Sequence, residues 1–413
     1  MQEQQTAGAD FDALIVGNGM VGTALCALLA EAGMRVALVE AQPGPLRLEE
    51  LGEAPAPRVS ALSPVSVRLL EHLGAWPLMT KKRVTPYRAM SVRDAEGSGR
   101  IAFSADEAGV AQLGYIVENN LTTAALNARV LEHPGVTVFY GSRVKALQTT
   151  ATGRWLRLEN GRTLGAPLVV AVDGARSVLR DMADIDVAED DMDQHAVVTT
   201  VRCEYPHGDT ARQVFVDGQP LAFLPLTVAG DDRYCSIVWS VDPARAQALE
   251  AMSPAALGEA LSEAFEHQAG EVEVCDRAYR FPLVQRHAHR YTAPHFALVG
   301  DAAHSIHPLA GQGVNLGLMD AAVLAEEVTT AFRRGAPWGD ERVLQRYARR
   351  RRADNAAMLN LMKAFKVLFG IRHPGVLLAR NAGMSGLHRW VPLKRAIMRQ
   401  AVGERGRLPQ SCR

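Results

Sequence analysis

The strongest constraint on this chain lies near its N-terminus, where Gly17-Asn18-Gly19-Met20-Val21-Gly22 follows an apolar run at 11–16 and precedes apolar residues at helical spacing over 21–32. A G-x-G-x-x-G between a strand and a helix has a physical job. Gly17 permits the tight turn, Gly19 lets backbone approach a pyrophosphate, and Gly22 lets the helix pack closely on the strand. The helix N-terminus then offers N–H donors to the phosphates. Residues 36–39 read as the next strand, so the chain opens with a right-handed βαβ unit and parallel strands.

Glu40 ends that second strand, 23 residues after Gly17, where a carboxylate accepts hydrogen bonds from an adenosine ribose. A phosphorylated ribose would be repelled there, so the site suits FAD or NAD better than NADP. Further along, Ser63 and Pro64 start a helix that Gly74 ends. Segments 87–104 and 195–240 are β-rich, with pieces at 197–201, 213–216 and 235–240 that suggest a second, mostly antiparallel sheet. A buried-strand pattern returns at 297–299, and 314–332 read as a long helix.

These patterns predict an α/β protein with a discontinuous Rossmann-like nucleotide-binding domain over 1–86, 105–190 and 284–345. A substrate domain takes 87–104 and 191–283, and a basic, amphipathic helical region takes 346–413. The 413 residues are 48% hydrophobic and 22% charged, as in a soluble globular protein. The 45 basic and 45 acidic residues cancel, which points to no polyanion or nucleic-acid partner. That balance hides an asymmetry: 346–413 carry 16 Lys/Arg against Asp354 and Glu404, a net +14, and 1–345 carry −14. Five scattered cysteines form no C-x-x-C pair and indicate neither zinc nor a disulfide framework. The polar N-terminus and the lack of any eighteen-residue apolar run predict a cytoplasmic protein without a spanning helix.

One fingerprint does not identify the cofactor; the later segment Gly300-Asp301-Ala302-Ala303-His304-Ser305-Ile306-His307-Pro308, continuing as Leu309-Ala310-Gly311-Gln312-Gly313-Val314-Asn315-Leu316-Gly317, does. It resembles the G-D motif of the aromatic hydroxylase flavoproteins, the FAD monooxygenases related to p-hydroxybenzoate hydroxylase. The family's middle motif is matched by Asp173, Gly174 and Arg180 within 172–180. Arg58-Val59-Ser60-Ala61-Leu62, Ile116-Val117-Glu118-Asn119, Phe223-Leu224-Pro225-Leu226 and Ser236-Ile237-Val238-Trp239 narrow the resemblance to the ubiquinone-biosynthesis hydroxylases of the UbiH, UbiF and VisC group.

The resemblance implies that Asp301 bonds the flavin ribitol, that Arg58 and Asn119 contact the phosphate and ribitol region, and that Asp173-Gly174 support pyrophosphate and reductant. It places Pro308, with His307 beside it, in the flavin-side pocket. Chemically, Gly300 allows backbone approach, while Gly311 and Gly313 admit the isoalloxazine edge. The helix N–H groups near Asn315 and Leu316 would stabilise the anionic reduced flavin. His304 and His307 are spaced three apart, but no nearby acidic or cysteine cluster completes a coordination shell, so no metal site is expected. No residue identifies itself as a catalytic base.

By the same resemblance NAD(P)H reduces FAD as a transient reductant, and reduced FAD with O₂ forms a C4a-hydroperoxide that oxygenates a phenol ring. The implied substrate is a polyprenylphenol, hydroxylated at C5 as in the VisC-like enzymes. The C6 or C1 positions, or a noncatalytic FAD-binding subunit, are the alternatives. Phe223, Leu224 and Pro225 suit a ring with an isoprenoid tail, or ordinary sheet core. Met358, Leu361, Met362, Phe365, Leu368 and Phe369 fall at helical spacing beside Lys363, Lys366 and Arg349–Arg352. That combination fits an anionic surface at the inner membrane face, another ubiquinone-biosynthesis protein, or packing against the chain's own acidic body. Homo-oligomerisation stays open.

Overall fold

A computed structural model describes residues 10–306, 313–371, 373–390, 394, 398, 403–404 and 406–413. The strands Ala13–Val16 and Val36–Val39 are buried along their whole length, as continuous apolar runs in a parallel sheet must be. They pair in parallel, Leu14 opposite Ala37, and form the centre of a six-stranded sheet. Its order is Thr292–Ala293, Phe296–Leu298, Val169–Ala171, Ala13–Val16, Val36–Val39, Val136–Phe139. Chain segments far apart in sequence therefore lie side by side at the carboxyl end of Ala13–Val16, where ligands of open α/β sheets bind. The Met20–Glu31 helix packs on this sheet together with the Gly313–Arg333 helix.

Ser63 caps the Pro64–His72 helix by accepting from Ser66 N, with Pro64 at the first helical position. Gly74 leaves that helix region at φ +67°, a conformation that costs glycine little.

The second sheet has nine strands and is mostly antiparallel; Thr210–Val216 and Ala89–Asp94 pair in parallel. It contains Val187–Cys203, Gln219–Val228, Asp231–Val241 and Tyr279–Ala288. Both Val187–Cys203 and Tyr279–Ala288 run through the expected domain boundaries at 190 and 283, so those boundaries fall inside strands. Side chains alternate across the sheet. Val197, Phe223, Ile237 and Trp239 pack with Leu249, Leu257, Leu261 and Phe265, from helices Pro243–Ala251 and Pro254–Ala264 and just beyond. Leu224 and Leu226 face the other way, against Ala61 and Ile116 of the first domain.

The C-terminal region is helical over Glu341–Gly370 and Pro374–Arg389, and it packs on the body. Arg346 and Arg350 bond Glu326 and Glu327, Lys363 bonds Asp190, and buried Lys394 bonds Glu107. Arg380, fully buried, donates to Asp94 and to the carbonyls of Leu368 and Phe369, and its guanidinium lies over the Phe369 ring. Phe369 in turn stacks on Phe215 at 3.7 Å. Of the apolar residues expected to face a membrane, Met358, Met362 and Phe369 are therefore buried, whereas Leu361 and Leu368 are exposed. Arg350 and Arg351 are likewise removed from an external role, because internal carboxylates take their charges. The Phe365 and Lys366 side chains lie outside the described residues. Among the described residues, no helix is long and apolar enough to cross a membrane.

Candidate functional site

The glycine turn shows why each glycine is needed. Gly17 has φ +112°, and a Cβ there would run into the Val172 carbonyl; one at Gly22 would strike the Gly17 carbonyl. At Gly19 a Cβ would meet nothing within 4 Å, so the ground in front of the Met20–Glu31 helix is open. No side chain caps that helix, which leaves its first N–H groups directed at this space. Glu40 is held in place beside it. Its Oε2 accepts from Asn18 N at 2.7 Å and its Oε1 from Gln42 N at 2.7 Å, with lone pairs left over for a diol.

Val172 N donates to Val16 O, which sets the 172–180 motif next to the glycine turn. Asp173 Oδ2 accepts from Leu179 N, but buried Asp173 Oδ1 has no hydrogen-bond partner among the described residues. Burial pushes this carboxyl above its ordinary value, and the hydrogen bonds of Ser177 and Leu179 oppose that. An orphaned buried acceptor beside open space over Gly174 is what a missing donor, such as a cofactor hydroxyl, leaves behind. Arg180 Nη1 reaches the carbonyls of Ala175 and Ala302, tying this motif to the next.

The third segment turns at Gly300, φ +60°, where a Cβ would press on Val21; Gly317 also abuts Val21. The fingerprint helix, the 300–304 turn and the Gly313–Arg333 helix thus meet at one valine. Within 300–304 only Asp301 is exposed. Crowding by protein still raises its carboxyl above the usual value, with His304 and Arg58 pulling it down. The open solvent contact argues for an ionised carboxylate, able to accept two hydroxyl hydrogens. Arg58 is exposed over the Phe281 ring at 5.5 Å; its carbonyl accepts from Asn119 N, and Asn119 Oδ1 accepts from Ser60 Oγ.

Several expected roles change in detail. The Asn315 side chain bonds Ala61 O, Ser63 N and Ser66 Oγ, so it fastens the helix to the 59–66 segment. Leu316 is buried with Ile306, Met358 and Met362. Phe223 is a correction: it stacks on Phe265 at 3.9 Å on the sheet face away from the first domain, and a substrate role does not fit that packing. Pro225 lies on the same side by strand alternation, leaving Leu224 as the member directed at the first domain. His307, Pro308 and Gly311 lie outside the described residues.

Sequence reasoning missed Asp320. It is fully buried, bonds His304 Nε2 at 2.5 Å, and also accepts from Gly300 N, Arg351 Nε and Asn355 Nδ2. Burial alone would raise its carboxyl, but His304 and Arg351 outweigh that and bring it down to about 2. The available signal was a carboxylate at helical spacing between Leu316 and Leu324, on the buried stripe.

Residues 10–361 match the family model described as FAD binding domain. The 3-demethoxyubiquinol 3-hydroxylase of Escherichia coli (strain K12) is 39% identical over 390 residues, covering 94% of this chain and 97% of that protein. The ubiquinone hydroxylase UbiL of Rhodospirillum rubrum is 35% identical over 392 residues, covering 95% of this chain and 89% of that one. Among solved structures, p-nitrophenol 4-monooxygenase PnpA from Pseudomonas putida DLL-E4 shares the fold, with TM-score 0.74 at 22% identity, covering 96% of this chain and 99% of that chain.

Proposed function

We propose, from the premise that the chain belongs to the FAD binding domain family and within it to the ubiquinone-biosynthesis hydroxylases, that this FAD-dependent monooxygenase hydroxylates the ring of a polyprenylated phenol or quinol. Bound FAD, reduced by NAD(P)H, would supply the chemistry that activates O₂, one of whose atoms enters the ring while the other leaves as water. The chain's own residues bind and orient. The uncapped helix at Gly19 and Met20 takes the pyrophosphate and Glu40 the adenosine ribose. Asp173 Oδ1 and Asp301 take cofactor hydroxyls, with Arg58 and Asn119 at the phosphate and ribitol region. The start of the Gly313–Arg333 helix stabilises negative charge on the reduced ring. The sheet face bearing Leu224 closes the site from above and excludes water.

The observation that carries this reading is that three segments, at 17–22, 172–180 and 300–304, meet through Val21, Val172 and Arg180 and leave open ground at Gly19 and Gly174. For the ring position, the name of the 39%-identical relative supports carbon 3 of demethoxyubiquinol, and the sequence pattern around Gln213-Val214-Phe215 supports C5. Purified holoenzyme, given NAD(P)H and either a polyprenylphenol or demethoxyubiquinol, should consume O₂ with only one of them, and mass spectrometry should find one added oxygen in the product. Oxygen consumption with neither compound sinks the reading.

The C-terminal helices also support contact with an anionic membrane. Val367, Ile371, Leu378 and Trp390 are exposed, Leu378 at 75% and Trp390 at 61%, as are Arg349 and Arg352, and exposed apolar side chains, a tryptophan and cations in one helical region suit an anionic headgroup boundary. Co-sedimentation with phosphatidylglycerol vesicles should fall at least about fivefold in Leu378→Ser/Trp390→Ser if these side chains insert. Equal binding by wild type and variant rejects insertion.

A further inference from the structure

We propose that Arg351 and Asn355, on the Glu341–Gly370 helix, are positioning residues for the cofactor-binding turn at 300–304 and act on it through Asp320. The proposal rests on the reading of Asp301 as a ligand of the FAD ribitol. The geometry is that of a clamp with one carboxylate at its centre. Asp320 Oδ2 receives Gly300 N at 3.2 Å and His304 Nε2 at 2.5 Å, so a single oxygen pins both ends of the turn. Asp320 Oδ1 receives Arg351 Nε at 2.7 Å and Asn355 Nδ2 at 3.1 Å, so the other oxygen is held from the C-terminal helix.

The arrangement is over-determined in the way a positioning device requires. Arg351 is itself fixed by Asp354 Oδ2 at 3.1 Å and Asn355 Oδ1 at 2.9 Å, and Asn355 also donates to Tyr291 Oη. One helical turn earlier, buried Tyr347 donates to the Leu298 carbonyl at 2.7 Å, so the same helix holds the strand that feeds the turn. Gly300, Ala302, Ala303 and His304 face inward, and Asp301 alone projects outward. Every inward contact thus serves to aim one carboxylate. Losing Arg351 leaves a buried carboxylate short of a partner, and it must swing or take up a proton. Either response frees one end of the turn, and small misplacements at a binding centre are expensive in affinity.

The test separates aim from stability. FAD is removed from the full chain, the apoproteins are melted as a folding control, and each is titrated with FAD at a temperature where it is fully folded. The reduction potential of the bound flavin is then measured. Arg351→Met should weaken FAD binding at least about tenfold and shift the potential, and Arg351→Lys should recover most of both. The double variant Asp320→Asn/Arg351→Met removes both buried charges. Its melting temperature should return toward wild type, while FAD binding stays at least about tenfold weak. Should Arg351→Met fail to fold, Asn355→Leu, which keeps the ion pair, should still weaken FAD about threefold. Asp301→Ala tests the underlying reading. If Asp301→Ala binds FAD as wild type does, the ribitol reading fails. If Asp301→Ala is weak but the double variant or Asn355→Leu binds FAD within twofold of wild type at an unchanged potential, the positioning role alone is overturned.

Discussion

Gly22 shows how much a single hydrogen atom can decide. A methyl group there would occupy the Gly17 carbonyl, and neither the helix nor the strand can withdraw without opening the turn. Overpacking of this kind costs about 1–3 kcal/mol, so Gly22→Ala should weaken FAD binding about tenfold to a hundredfold in an apoprotein titration. Phe223 makes the opposite case. Its ring is stacked on Phe265 and buried among core residues, so Phe223→Leu should lower stability by about 1–2 kcal/mol in urea unfolding and leave the substrate KM unchanged. The glycines could be read from sequence because the backbone rule of the strand–turn–helix is local, even though Gly17 also meets Val172 from far along the chain. Phe223 and Leu224 could not be sorted, because alternation says only that they part company. Which side receives helices is decided by residues 243–265, and nothing local to the strand records it.

Elements carry the electrostatics. The Gly313–Arg333 helix brings a carboxylate, Asp320, into the core, and the Glu341–Gly370 helix brings its guanidinium partner. Because the folded carboxyl is depressed to about 2 from 3.8, its contribution is present in full above pH 3.8 and is lost as pH falls toward 2. The shift corresponds to roughly 2 kcal/mol. The stability gap between wild type and Asp320→Asn, followed by urea unfolding from pH 6 to pH 2, should therefore shrink on acidification; a constant gap contradicts the ion-pair account. Asn315 also works between elements, and Asn315→Ala would strand Ser63 N and Ala61 O in the interior, at a cost of about 2–3 kcal/mol. The sequence pattern placed the 314–332 helix well and the C-terminal helical region without its bounds, since apolar periodicity is a property of one segment. It pointed to the N–H groups near Asn315 because a helix start next to glycines suggests an anion, and it could not foresee the side-chain bonds to residues about 250 positions away.

For the whole molecule, the neutral sum of charge conceals an internal transaction between an acidic body and a basic tail. Arg346, Arg350, Arg351, Lys363, Arg380 and Lys394 all meet carboxylates of residues 94–327. The expected choice between lipid, partner and the chain's own body is thus made for these six cations, whereas Arg349, Arg352 and the exposed apolar residues face outward. Asp94 and Arg380 are separated by 286 residues, and neither is stable in the interior without the other. During synthesis at about 5–20 residues per second, the strand bearing Asp94 must wait roughly 15–60 seconds for its counter-charge to leave the ribosome. Through that interval the edge strand Arg100–Ser104 has no C-terminal helix beside it and is open to pairing with other nascent chains. Slowing late elongation with rare codons after residue 341 should accordingly raise the insoluble fraction without any change in the protein made, which makes the timing of translation part of how this enzyme reaches its fold.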